Sequence, residues 1–206
     1  MKKNIVITGG LGYIGTELCK IYSGVSWNNN ITVIDNRFVS ERVNQLRNWN
    51  INFIQGDIID KELIKEYCKD ADIVHHLAGI TQVPRVRSEG NDQLNDKIKI
   101  IAEDGTQNIL DVISNKCKII LPSTHVVYEG ISEVKKNIEE NEATSPILAY
   151  AKSKDFNEKQ LKDSGKNYVI LRLGSVYGYS TDTMRIDIMP NLFSKLASQN
   201  GVLKLF

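Results

Sequence analysis

Six short runs rich in isoleucine and valine recur along the chain, with helix-like segments between them. The runs are NIVIT (4–8), ITVID (31–35), INFIQ (51–55), DIVHHL (72–77), CKIILP (117–122) and YVILR (168–172). Each is nearly continuous in apolar character rather than alternating, as parallel strands covered on both faces are. In the intervals Ile14, Leu18 and Ile21 recur at helical spacing, as do Leu63, Ile64 and Tyr67. Longer helices are expected over 92–114 and after Tyr150. Strands alternating with helices build βαβ units, so the expected class is α/β, a doubly wound parallel sheet of the Rossmann type.

Two segments break the rhythm. Glu129 to Pro146 is polar and acidic and is read as a long surface excursion. After Gly178 the pattern changes again, with one helix expected over 186–199 and a last strand in VLKLF. The balance of 26 basic and 25 acidic residues, formal net charge +1, offers no electrostatic footprint for nucleic acid or an anionic membrane. Cys19, Cys68 and Cys117 are odd in number and share no CxxC spacing, which suggests buried thiols in a reducing compartment. The opening apolar run is too short for a signal peptide, and no segment approaches a membrane span. The expected location is cytoplasmic.

The first strand runs directly into VITGGLGYIGTEL, which holds four glycines in the seven positions 9–15. Gly9, Gly12 and Gly15 form a GxxGxxG spacing at a strand-to-helix turn. Such a turn aims free backbone N–H groups and the positive end of the helix dipole at an anion. Glycines there remove the Cβ atoms that would hold a pyrophosphate away. Asp35 ends the second run 20 residues after Gly15, with Asn36 beside it. A carboxylate there suits the adenosine ribose diol and repels a 2′-phosphate, which favours NAD, although Arg37 and Arg42 leave NADP open. Asp57 in QGDI is placed either to meet an adenine amino group or as an ordinary turn aspartate. The small residues of HLAG (76–79) would let a cofactor pass close to the backbone.

YAKSK places Tyr150 and Lys154 four apart, on one face of a helix. A nearby ammonium favours the phenolate, so the pair is expected to lower the tyrosine pKa and make an acid/base for a hydroxyl substrate. Upstream, Ser123 and Thr124 in PSTHVVY stand at the carboxyl end of the fifth run, where open α/β sheets place their ligands. No metal site is expected: His75 and His76 are adjacent in a strand and point to opposite faces, and His125 is isolated. No GxSxG elbow is present.

In order, TGGLGYIG, VIDN, QGDI, HLAG, STHVVY, EENEATSPILAYAKSK and LRLGSVYG resemble the extended short-chain dehydrogenase/reductase family, in its nucleotide-sugar epimerase and dehydratase branch. The resemblance implies that Tyr13 and Ile14 contact the pyrophosphate and that Asp57 with Ile58 flanks the adenine. It implies that Leu77, Ala78 and Gly79 line the cofactor. Tyr150 would be the acid/base, Lys154 would hold the nicotinamide ribose and tune Tyr150, and Thr124 takes the place of the catalytic Ser/Thr. Similar 4,6-dehydratases carry an acidic pair after that threonine; here the positions are His125 and Val126, and valine cannot move a proton.

By that resemblance a 4-epimerase or a 4-ketosugar reductase remains, and the preference for NAD that Asp35 suggests favours an NAD-dependent 4-epimerase of an NDP-hexose acting through a transient 4-keto sugar. A 4-ketosugar reductase and a non-catalytic dinucleotide-binding scaffold are the alternatives. Ala102, Gly174 and Ser175 depart from the family pattern on the substrate side. The implied organisation is an NAD-binding domain over 1–178 and, over 179–206, the start of a smaller C-terminal substrate lobe, truncated. A nucleotide-sugar substrate and a homodimer built on the helix over 92–114 and the one at Tyr150 complete the expectation.

Overall fold

All six apolar runs are strands in the computed structural model, which describes residues 2–81, 92–180, 185–186 and 188–203. They are β1 (Asn4–Thr8), β2 (Asn30–Asp35), β3 (Asn52–Gln55), β4 (Ile73–His76), β5 (Lys118–Thr124) and β6 (Asn167–Leu173). Every pairing is parallel, in the order β3-β2-β1-β4-β5-β6. The helices are α1 (Tyr13–Ser23), α2 (Ser40–Asn48), α3 (Lys61–Cys68), α4 (Asp92–Val112), α5 (Ala149–Asp163) and α6 (Met189–Ser198).

The continuous apolar runs follow from helices on both faces. Ile5 and Ile7 of β1 pair in register with Ile31 and Val33 of β2. With Cys19 of α1 and Val43 and Leu46 of α2 they form one buried cluster. The intervening residues Val6, Ile34, Val74 and Ile119 point the other way, against Ile64 of α3, Ile109 of α4 and Leu161 of α5. The strand period of two thus feeds two cores at once. β6 departs from this expectation: Tyr168, Val169 and Leu171 are each more than a third exposed. It ends the sheet order, and among the described residues no strand pairs with its outer edge.

The excursion over 129–146 contains no helix or strand and is pinned at its base. Gly130 N donates to Ser145 O at 2.8 Å and Ser145 N to Val127 O at 2.7 Å. The Glu129 carboxylate accepts from Ile147 N at 2.7 Å and Leu148 N at 2.6 Å, just ahead of α5. The expected helix over 186–199 is the shorter α6, with Pro190 in its first turn, where a missing N–H costs nothing. Residues 201–203 carry no regular structure, and the rest of the expected last strand lies outside the described residues. The three cysteines are free and buried. Burial pushes the Cys19 and Cys68 thiols up to about 12 and that of Cys117 to about 11, so they remain protonated at neutral pH.

Candidate active site

From β1 the chain winds outward to β2 and β3, then crosses back to β4 on the other side of β1. That reversal opens a crevice beyond the carboxyl ends of the strands. The crevice is a cavity of about 860 Å³, within the range of cofactor sites.

The glycine turn forms its floor, and its glycines have different tasks. Gly9 has φ +70°, and a Cβ there would lie 2.7 Å from the Ala78 backbone. A Cβ on Gly15 would lie 2.6 Å from Gly9 O and Gly10 Cα. Gly12 is looser: its Cβ would meet Gly9 O at 3.1 Å and then nothing nearer than Arg37 Nη2 at 3.9 Å. Gly12 N-caps α1 and lines the cavity with Tyr13, Ile14 and Gly15. First-turn amides have no carbonyl a turn earlier in their own helix, so an anion placed here meets donors. Gly9→Ala combines a left-handed backbone with a backbone clash, and about 2–4 kcal/mol of stability should be lost. Thermal unfolding would then show Tm lower by roughly 5–15 °C. Gly12→Ala, where only Gly9 O at 3.1 Å must give, should lower Tm less than Gly9→Ala and weaken dinucleotide binding, which a parallel titration would separate.

Asp35 is buried at the end of β2. Its carboxylate accepts from Leu11 N at 3.0 Å, Arg37 N at 3.1 Å and Arg37 Nε at 3.2 Å. The Arg37 side chain is more than half exposed, so this ion pair contributes little and can yield to a ligand hydroxyl. Arg42 Nη1 donates to Leu11 O at 2.5 Å, bracing the turn. Asn36 Nδ2 donates to Asp57 Oδ2 at 3.0 Å, joining the ends of β2 and β3 beside Ile58. On the opposite wall, Leu77, Ala78 and Gly79 line the cavity, and a Cβ on Gly79 would meet nothing within 4 Å. Ala78 N donates to Thr8 Oγ1 at 3.2 Å. That hydroxyl also bonds His76 Nδ1 at 2.9 Å, and His76 Nε2 bonds Thr106 Oγ1 at 2.9 Å. Burial, with the Lys154 charge, holds His76 at about 3, so the ring is neutral. His75 faces the other way, to Tyr22 Oη at 2.7 Å. Among the described residues no His, Cys, Asp or Glu cluster could hold a metal.

Thr124 at the end of β5, Tyr150 in the first turn of α5 and Lys154 one turn on all line the same cavity. Ser123 and His125 line it too, and His125 Nδ1 donates to Leu173 O at 3.1 Å. The expected lowering of the Tyr150 pKa does not appear. Burial pushes its phenol up, against the opposing pull of the Thr124 hydroxyl and the Arg185 charge. Lys154 is itself driven down to about 8 by burial, with Glu158 opposing that. Tyr13 lines the cavity, and its hydroxyl donates to Gly178 O at 2.6 Å. Two residues escaped the sequence reading. Arg185 lines the cavity from a stretch where strand and helix periodicity fades. Glu158 was legible in principle, since it continues the four-residue spacing of Tyr150 and Lys154.

The model of the NAD dependent epimerase/dehydratase family matches residues 5–205. The chain belongs to that family. It is 32% identical over 130 residues to the UDP-N-acetyl-alpha-D-glucosaminuronate decarboxylase of Bacillus cytotoxicus, covering 62% of this chain and 38% of that protein. To the UDP-glucose 4-epimerase of Mycoplasma genitalium it is 29% identical over 193 residues, covering 86% of this chain and 54% of that one. Among solved structures it resembles a tyrosine-to-phenylalanine variant of UDP-glucuronic acid 4-epimerase from Bacillus cereus, crystallised with UDP-4-deoxy-4-fluoro-glucuronic acid and NAD. The TM-score is 0.80 at 25% identity, over all of this chain and 66% of that one. The chain therefore spans about half the length or less of these curated relatives.

Proposed function

We propose that this chain binds NAD and supplies the cofactor site and acid/base of a nucleotide-sugar epimerase that inverts C4 of an NDP-hexose. One observation carries the reading: Thr124, Tyr150 and Lys154 converge on the cavity floored by the glycine turn. The residues fit the cofactor. The bare side of Gly12 and the first-turn amides of α1 suit the pyrophosphate, Asp35 and Asn36 the adenosine ribose, Asp57 and Ile58 the adenine. Leu77, Ala78 and Gly79 leave room for its passage.

Bound NAD would supply the acceptor and donor for the C4 hydride. The Tyr150 phenolate removes the proton from the sugar 4-hydroxyl while Thr124 holds the same oxygen. The Lys154 ammonium would hold the nicotinamide ribose and favour the phenolate. Val126 supports epimerisation over dehydration, because elimination needs a proton carrier where this chain has an alkyl side chain. In the same reading residues 1–178 are the NAD-binding domain and 179–206 begin a substrate lobe. A homodimer is supported by the half-exposed Ile100 on α4 and the exposed Phe156 on α5, two helices that pack side by side. No helix among the described residues is long and apolar enough to cross a membrane.

The protein incubated with NAD and UDP- or dTDP-hexoses should yield the C4 epimer with no net NADH. Stoichiometric cofactor consumption would instead identify a 4-ketosugar reductase. Binding of NAD without any turnover would identify a scaffold.

A further inference from the structure

Tyr150, Lys154 and Glu158 follow at four-residue intervals along α5 and so share a face. The first two line the cavity; the third is 1% exposed and lies behind them. Its carboxylate is held from three elements. Ser123 of β5 donates Oγ to Oε1 at 2.5 Å. Arg172 of β6 donates Nη2 to Oε2 at 2.6 Å and Nε to Oε1 at 3.0 Å. Lys162 of α5 stands 3.5 Å from Oε2. Arg172 is fixed in turn: its Nη1 donates to Glu140 O at 2.9 Å and to the Tyr128 hydroxyl, and its guanidinium lies 5.1 Å over the Tyr128 ring.

Such a pair is a poor way to stabilise a fold, since packed apolar residues of similar volume often do as well or better. Its placement suggests a different purpose. Ser123 precedes Thr124, and Glu158 is one turn from Lys154. We propose that Glu158 is a positioning residue of the active site: anchored by Arg172 and Ser123, its carboxylate keeps Lys154 an ammonium ready for the nicotinamide ribose. This rests on the NAD reading given above.

The groups facing Lys154 leave that task to Glu158. On its own helix they are Tyr150, a neutral phenol raised by burial, and Glu158. From β4 comes His76, neutral. From β5 come the uncharged Ser123 and Thr124. Arg172 on β6 is spent on Glu158, and the Arg185 charge acts on Tyr150. Burial pushes the Glu158 carboxyl up, but bonds from Arg172 and Ser123 hold it below its usual value, so it stays charged. Of these groups, Glu158 is the one that opposes the loss of the Lys154 proton.

NAD affinity measured by calorimetry from roughly pH 6 to 10, across the ordinary lysine range, tests this without any substrate. The unaltered protein should bind less tightly as pH rises through about 8. Glu158→Gln should move that midpoint down by about one unit or more, and Glu158→Asp, which keeps the charge, should return it to its original place. Should Glu158→Gln fail to fold, Arg172→Gln carries the test with the same sign: without the cation that holds it ionised, burial pushes the Glu158 carboxyl towards neutrality, and the midpoint should move down. Coincident midpoints in the variants, or a flat profile in the unaltered protein, would overturn the role of Glu158. An unaltered protein that binds no NAD at any pH would sink the NAD reading and this inference together.

Discussion

Tyr150→Phe should keep its grip on NAD and lose turnover. The substitution removes one oxygen from a half-buried ring in the first turn of α5 and leaves the packing in place. Stability should therefore stay within about 1 kcal/mol of the unaltered protein. Turnover is another matter, because in the proposed function Tyr150 is the group that takes the 4-hydroxyl proton beside Thr124. Thr124 is no base, and its hydroxyl already accepts from Val126 N at 3.3 Å. Loss of a positioned acid/base costs about 10²–10⁴ in rate, so kcat should fall by that factor while the NAD dissociation constant changes less than about threefold. Burial makes the effect sharper. The phenol sits above its ordinary pKa through burial, against the pull of Thr124 and Arg185, so its proton leaves at neutral pH only with help from the groups around it. Turnover within tenfold of the original would remove Tyr150 from the chemistry.

How much of this was legible in the sequence depends on how far apart the cooperating residues lie. The strands were legible because each carries its own apolar run, and the switch point because the glycine turn follows β1 directly. Tyr150 and Lys154 were legible because helix geometry converts a spacing of four into a shared face. The clamp on Glu158 was not: Ser123, Glu158 and Arg172 sit on three elements, and only the order β4-β5-β6 with α5 alongside brings them together. The sign of the Tyr150 shift was misread for a related reason. A spacing rule reports the neighbouring charge but not the desolvation that opposes it. The exposure of β6 was missed because an apolar run reveals a strand's composition and not what covers it.

Lys154→Met should make the protein more stable and useless. The ammonium is 9% exposed, and its folded pKa of about 8 lies below the ordinary 10.5. Between those values the unfolded chain binds a proton that the folded chain does not. Stability therefore rises with pH across that window, and the full penalty applies below about pH 8. Methionine has a similar straight stem and no charge to desolvate. At pH 7 the variant should gain about 1–3 kcal/mol in urea unfolding, and the gain should shrink as pH climbs towards 10.5. Glu158 keeps Arg172 and Ser123, so no carboxylate is stranded. Under the proposed function NAD affinity and turnover should both fall, because Lys154 is the donor assigned there to the nicotinamide ribose. A variant less stable at pH 7 and at high pH alike would mean that Lys154 contributes packing or bonds that outweigh its desolvation. A gain at pH 7 that fades with pH would identify Lys154 as a charge that the fold carries, against its own stability, for the sake of the site.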